Sequence, residues 1–289
     1  MKSTTQLLRG LLELDSVGAR TQEDIFVGHT PSLGPKRVFG GQVLAQSVMA
    51  ATHTVEDDRP IHSLHGYFLR PGDPDTPITY GVSRLRDGRS FTARRVHAYQ
   101  DGEPILSMIA SFERPSEGIE FQDDMPSGVA DPESLPTASE ELAGIDHPMA
   151  RMWAEHRPFD MRYPEGSLYL RSPEVTSRNM VWMKTKEPFG DDPAMHRAAL
   201  AYGSDFTLIE TALRRSGTSW LESGGNIASL DHAMWWHRPA RVDEWLLFVQ
   251  EAPSAQGARA LIRASVYNRE GALVATVMQE GMIRPPRQR

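Results

Sequence analysis

The chain has 289 residues, 39% of them apolar and 24% charged, with Lys+Arg 31 against Asp+Glu 38 and a formal net charge of −7. That is enough chain for one large or two ordinary globular domains, and without a Lys/Arg tract no nucleic-acid partner is expected. There is no Cys, which excludes disulfides, thiolate nucleophiles and Cys-ligated zinc or iron–sulfur sites.

The N-terminal "TTQLLRGLLEL" is interrupted by Arg9 and Glu13, so it is too short and too charged for a signal segment or a spanning helix. It reads as an amphipathic helix, and the protein as cytoplasmic with no membrane insertion. "VFGGQVLAQSVMAATHT" then places Val43, Leu44, Ala45, Val48, Met49 and Ala51 almost all round a helix, after a Gly pair. Such a helix is buried on most sides. Four strand-like runs follow, "IHSLHGYFLRP", "PITYGVSRLR", "RSFTARRVHAYQ" and "PILSMIASFE", with Asp87-Gly88 and Asp101-Gly102 where hairpins need positive φ.

From Arg114 to about Pro148 the sequence is acidic, Pro-rich and poor in apolar periodicity, which reads as a linker. "DDPAMHRAALAYGSDFTLIETALRRSG" opens as a helix at Asp-Pro and closes at Gly217. The runs "NIASLDHAMWWHRP", "EWLLFVQEAP", "ARALIRASVYN" and "ALVATVMQEGMI" follow in the same order as before, with Gly271 at the last turn.

The same order read twice is a duplicated unit. Ile61-His62-Ser63-Leu64 answers Ile227-Ala228-Ser229-Leu230, Arg70-Pro71 answers Arg238-Pro239, and Tyr99 answers Tyr267. The expected architecture is α+β: a helix wrapped by a curved antiparallel sheet, present twice, with the sheets joined at their edges. The units are 1–114 and 149–289, with 115–148 as the linker.

Catalytic signatures are mostly missing. There is no G-x-S-x-G elbow, no phosphate-binding G-x-x-x-x-G-K-[ST] loop, no G-x-G-x-x-G and no H-E-x-x-H. The His pairs 62/65 and 232/237 lack the spacing of a zinc pair. Differences between the halves are better leads. Asp205 in "YGSDFTL" stands where the first helix has Gln42, and a carboxylate in an apolar helix carries a desolvation cost that an amide does not. It reads as a general base or water-positioning group, or else as a surface residue or a cap after Gly203-Ser204. Gln279 stands where the register gives Ser111, with a solvated edge residue as the competing reading; Ser229 has a counterpart in Ser63.

"FGGQVLAQ", "HSLHGYFLRPGDPDTPI", "LRDGRSFTARRV", "SDFTLIETAL", "IASLDHAMWWHRP", "EWLLF" and "ATVMQEG" together resemble the acyl-CoA thioesterase II family of TesB type. The resemblance covers almost the whole chain apart from the linker. It implies a double hotdog fold, an acyl-CoA substrate and a homo-oligomer. It also implies a catalytic set in which an Asp, a hydroxyl and a Gln orient a hydrolytic water, falling on Asp205, Ser229 and Gln279. This chain has Ser where the family commonly has Thr.

Neither a metal nor a cofactor is expected, CoA being part of the substrate. A backbone N–H would receive the oxyanion, and arginines would meet the CoA phosphates. His62, Gly41, Gln42 and Trp235 are the expected substrate-binding residues, with Trp236 and His237 sharing the adjoining wall and sheet interface. Asp231 and His232 read as a buried polar pair or as catalytic groups. Two alternatives stay open. A hotdog enoyl-CoA hydratase or dehydratase would need an Asp/His pair, yet no His follows Asp205 in "FTLIETALRR"; a catalytically silent acyl-CoA binder would not need the three residues intact.

Overall fold

The computed structural model describes residues 3–16, 23–31, 37–143, 145–169, 174–223 and 227–284. The first unit runs α1 (Thr4–Leu12), β1 (Asp15–Ser16), β2 (Glu23–Gly28), α2 (Gly40–Thr52), β3 (Ile61–Phe68), β4 (Ile78–Asp87), β5 (Phe91–Gln100) and β6 (Glu103–Glu113). Two short helices, α3 (Ala138–Glu141) and α4 (Pro148–Arg151), precede the second unit. That unit runs β7 (Phe159–Arg162), β8 (Arg178–Thr185), α5 (Pro193–Ser204), α6 (Leu208–Ser216), β9 (Ile227–Ser229), β10 (Asp231–Trp236), β11 (Leu246–Gln256), β12 (Arg259–Asn268) and β13 (Leu273–Ile283).

The strands form one antiparallel sheet in the order β1-β2-β4-β5-β6-β3-β10-β13-β12-β11-β8-β7, with β9 beside β13. The order is symmetric about the β3·β10 seam, where His65 faces Ala233. Joining the two sheets there removes an exposed edge from each unit. The fold is therefore the expected double hotdog, and both the Arg-Pro and Tyr matches are structural. Arg70 and Arg238 close their strands alike, donating from Nη1 to the carbonyls of Pro104 and Leu273, each at 2.9 Å.

Hydrophobic periodicity places the helices. α2 buries every residue from Gly41 to Ala51, between its own sheet on one side and α5 and α1 on the other. In the second unit Asp192 caps α5 from its side chain, with Pro193 in the first turn, and Gly217 ends α6 at φ 68. α1 lays Leu8, Leu11 and Leu12 into the same core as α2 and α5. Residues 115–131 carry no regular element and run against the second sheet, where Trp182 Nε1 donates to Ala130 O and Gln122 Nε2 to Gly271 O.

Four expectations from the sequence are corrected. The second helix is broken: Asp205 N–H turns back to Gly203 O, and α6 restarts after Thr207. The strand through Ile227–Trp236 is also broken, because Leu230 N–H donates to Glu280 O in β13 while its own carbonyl accepts from Phe68 N across the seam; Asn226, with which that run begins, lies outside the described residues. Gly88 is not at positive φ, in contrast to Asp101 (φ 49) and Gly102 (φ 80), and its N–H closes the hairpin on Phe91 O.

The fourth concerns register. Ser229 faces Gly281, and the same place in the first unit is held by Ile61, which faces Phe112; Ser63 faces Ser111 instead. Gln279 faces Ile262, whose counterpart Arg94 faces Ala110, so Ala110 and not Ser111 matches Gln279. The last hairpin of the second unit is one residue longer than that of the first, which shifts β13 by one.

Candidate active site

The break between α5 and α6 is what presents Asp205. A continuous helix would carry its side chain along the helix face, whereas the turn at Gly203–Thr207 directs it to the ends of β9 and β13 and to the start of α2. Gln279 Nε2 donates to Asp205 Oδ1 at 2.7 Å, Ser229 Oγ donates to the same oxygen at 3.3 Å, and the Gly41 N–H at the N-terminus of α2 also donates to the carboxylate. The site thus draws on both units.

Approach this close needs glycine. A Cβ on Gly40 would lie 2.8 Å from Asp205 Oδ2, and one on Gly41 would lie 2.5 Å from Tyr202 O. The Asp205 side chain is only 4% exposed, and burial pushes its carboxyl up to about 6 against the three donors, which pull the other way. A carboxylate so placed is ionised at neutral pH and basic enough to take a proton.

Asp205 and Ser229 open onto a cavity of about 730 Å³. Its walls include Leu7, Leu8 and Leu11 of α1, Phe39 and Gly40 at the start of α2, and Tyr202, Phe206, Ile209, Trp153 and Trp220. The lining is mostly apolar, as an acyl group requires. Arg157 is a buried cation in this wall, with its guanidinium 4.8 Å from the Phe206 ring and 5.2 Å from the Trp153 ring. Behind it the buried Glu210 accepts from Tyr163 Oη at 3.0 Å and Trp220 Nε1 at 2.9 Å. Arg37 and Arg70 line the cavity as exposed arginines.

Asp205, Ser229, Gln279 and Gly41 therefore come together. Gln279 is buried and outside the cavity lining, so it holds the carboxylate from behind and does not face the cavity with the other two. Gln42 borders the cavity, its Nε2 donating to Thr30 Oγ1 at 2.8 Å.

His62 and Trp235 are not part of the cavity lining. His62 sits at the β3 bulge against Ser111 Oγ (2.9 Å) and the Phe91 ring, and Trp235 stacks edge-on with His65 across the seam. Trp236 packs in the core, and His237 meets Thr276 Oγ1 on an exposed edge. Asp231 and His232 point to opposite faces and do not pair: Asp231 accepts from Glu280 N, while His232 turns inward to Ser204 Oγ at 3.0 Å.

Sequence reasoning left one contributor open, as a buried polar or catalytic group, and missed two others. His232 arrives from β10 within 4.0 Å of Asp205 Oδ1; strand alternation with the buried Met234 and Trp236 was the available signal. The α1 leucines and Arg157 reach the cavity through tertiary packing alone. Among the described residues, no group of three or more His, Cys, Asp or Glu side chains is placed to hold a metal ion, and no helix is long and apolar enough to cross a membrane.

Residues 28–113 match the family model described as acyl-CoA thioesterase N-terminal domain, and residues 156–282 match the model described as acyl-CoA thioesterase. The chain is 37% identical over 282 residues to acyl-CoA thioesterase 2 of Haemophilus influenzae, covering 95% of this chain and 96% of that one. It is 36% identical over 277 residues to human acyl-coenzyme A thioesterase 8, covering 91% and 85%. The crystal structure of acyl-CoA thioesterase II TesB2 from Mycobacterium marinum superposes with a TM-score of 0.78 at 40% identity, covering 97% of this chain and 99% of that one.

Proposed function

The chain belongs to the acyl-CoA thioesterase family and hydrolyses acyl-CoA thioesters, and from that premise we propose that Asp205 is the general base, Ser229 its partner in holding the water, and Gln279 the group that orients the carboxylate. The observation that carries this reading is the Gln279–Asp205–Ser229 contact at the mouth of an apolar cavity.

Asp205 takes one proton from water as the hydroxide oxygen bonds to the thioester carbon. The tetrahedral intermediate then expels CoA thiolate, and the proton on Asp205 passes to that sulfur, giving free acid, CoA thiol and the carboxylate restored. Thiolate leaves readily, so little acid assistance is needed. The oxyanion is received at the N-terminus of α2 by the Gly40 N–H, because the Gly41 N–H is given to Asp205 and those of Gln42 and Val43 turn to Phe39 O. The acyl chain fills the cavity between α1 and the α5–α6 break. Arg37 and Arg70, exposed at its rim, meet the CoA phosphates.

No step requires a metal or a cofactor. A homo-oligomer belongs to the same reading and is supported by the outer face of the sheet near the seam, where Tyr67 and Ile109 are 63% and 51% exposed beside His65 and Trp235. A cytoplasmic location is part of the same proposal.

The test is thiol release across short, medium and long acyl-CoAs, with a single turnover run in heavy-oxygen water. The reading expects release with the label in the fatty acid and none in the protein. Tight binding without release, enoyl-CoA hydration in its place, or label in the Asp205 peptide would overturn it.

A further inference from the structure

The assignment of Asp205 as base leaves a question that its immediate donors do not answer. Gln279 Nε2, Ser229 Oγ and the Gly41 N–H all donate to the carboxylate and so favour its charged form. A carboxylate that must accept a proton during turnover also needs something to receive the O–H it then carries. His232 stands on the remaining side. Its ring is fully buried, and Nδ1 lies 4.0 Å from Asp205 Oδ1 with no hydrogen-bond partner among the described residues.

The tautomer follows from the end of α5. Asp205 N–H turns to Gly203 O, so the Ala201 carbonyl loses the donor four residues on that a continuing helix would give it. Ser204 supplies the replacement, its hydroxyl donating to Ala201 O at 2.9 Å. With the only hydroxyl hydrogen of Ser204 committed there, the 3.0 Å contact between Ser204 Oγ and His232 Nε2 requires the proton to be on Nε2. Nδ1 therefore presents a lone pair to Asp205. That is repulsive toward the carboxylate, which stands off at 4.0 Å, and attractive toward the carboxylic acid.

We propose that His232 is a positioning residue that accepts a hydrogen bond from Asp205 once Asp205 has taken the proton from water. The inference rests on the reading of Asp205 as the base. Burial holds His232 down to about 3, so it stays neutral through the working range and its own charge does not enter. Among the described residues the groups that act on Asp205 add no competing titration: α5 brings Tyr202, whose hydroxyl burial drives far up, and α2, β9 and β13 bring the Gly41 N–H, Ser229 and Gln279.

The experiment is the pH profile of kcat/KM for His232→Leu, His232→Asn and Ser204→Ala, with folding checked by circular dichroism. In His232→Leu the acid limb should move to lower pH by about one unit, and kcat should fall roughly tenfold, because the neutral acid has lost its acceptor. His232→Asn, whose amide oxygen stands near the place of Nδ1, should restore most of both. Ser204→Ala frees the imidazole proton to occupy Nδ1, so its limb should move the same way; this variant carries the test if His232→Leu does not fold. A limb unmoved in the folded variants means a structural role only, and a limb moved to higher pH means that His232 donates to the anion; either overturns the inference. Retained turnover in Asp205→Asn would instead sink the reading beneath it.

Discussion

Gln279 Nε2 reaches Asp205 Oδ1 at 2.7 Å, tying β13, the last strand in the chain, to the break between α5 and α6. Neither residue is repeated in the first unit, where Ala110 takes the place of Gln279 and Gln42, the sequence counterpart of Asp205, lies in an α2 that runs unbroken from Gly40 to Thr52. The duplicated fold thus carries one candidate catalytic centre, and the first unit contributes the N-terminus of α2.

Ser229 shares Asp205 Oδ1 with Gln279 at the longer distance of 3.3 Å, and its hydroxyl is what the water requires. Ser229→Thr should therefore keep near-native kcat. Ser229→Ala should lose roughly tenfold or more, the equivalent of about 1.5 kcal/mol for one hydrogen bond in the transition state. Equal rates in all three proteins would remove Ser229 from the site.

Gly40 is where the first unit touches the chemistry. Gly40 is the first residue of α2, where alanine gains less than the helix-interior value of about 1 kcal/mol, and its Cβ would lie 2.8 Å from Asp205 Oδ2 and 3.1 Å from the Phe68 ring. Gly40→Ala should cut kcat by about tenfold or more with little change in Tm. Gly10→Ala, in α1 with nothing within 4 Å of the new Cβ, should raise Tm slightly and leave kcat alone. A fully active Gly40→Ala enzyme would show that Asp205 tolerates displacement.

The raised carboxyl of Asp205 has a thermodynamic signature. Its folded value of about 6 lies above the unfolded one near 3.8, so ionisation costs the folded state stability. That cost is fully present above about pH 6, shrinks as pH falls between the two values, and is absent below about pH 4; two units correspond to about 3 kcal/mol. Asp205→Asn should therefore raise Tm at pH 8 and leave it unchanged at pH 4. A variant destabilised at pH 8 would mean that the donors outweigh burial. In the wild type the same ionisation should set the acid limb of kcat/KM near pH 6.

Much of this fold was legible because its signals are local. Strand alternation, Asp101-Gly102 and the Arg-Pro pairs repeat in order, and each half is a helix with a meander. Asp205 and Gln279 stood out as differences between the two halves, Asp205 also as a carboxylate in an apolar helix. The helix break was hidden because the apolar period runs through "AYGSDFTLIE" without a proline, and only backbone geometry shows Asp205 N–H turning to Gly203 O. The pairing of Ser229 with Ser63 failed because the local Ile-x-Ser-Leu match runs at an offset of 166 (227 − 61), whereas the seam and the Arg70/Arg238 pair hold 168 (238 − 70); the pairing of Gln279 with Ser111 failed because the longer hairpin shifts β13 by one. His62 and Trp235 were misplaced for a related reason: residue type marked them as binding groups, while strand parity and the β3 bulge set them outside the cavity lining. Arg157 and the α1 leucines reach the cavity through long-range packing, which periodicity does not report; for His232 strand alternation shows only that it faces inward, and packing sets it beside Asp205.

Chelation separates water activation by a carboxylate from activation by a metal. The account expects extended treatment with a strong chelator, followed by assay in metal-free buffer, to leave kcat within error of the untreated enzyme. Loss of activity restored by a divalent cation would require a different mechanism.

The central claim is that Asp205 takes the proton of the hydrolytic water, and its most direct test is steady-state thiol release by Asp205→Asn beside Gln42→Ala. Asparagine keeps the shape and still holds a water, but it cannot take the proton, and general-base assistance is typically worth about 10² to 10⁴ in rate. Asp205→Asn should lose kcat by that factor with KM little changed, whereas Gln42→Ala, which severs only the contacts to Thr30 and Gln46, should alter stability or KM and keep most of kcat. A folded Asp205→Asn enzyme with near-native kcat would contradict the account.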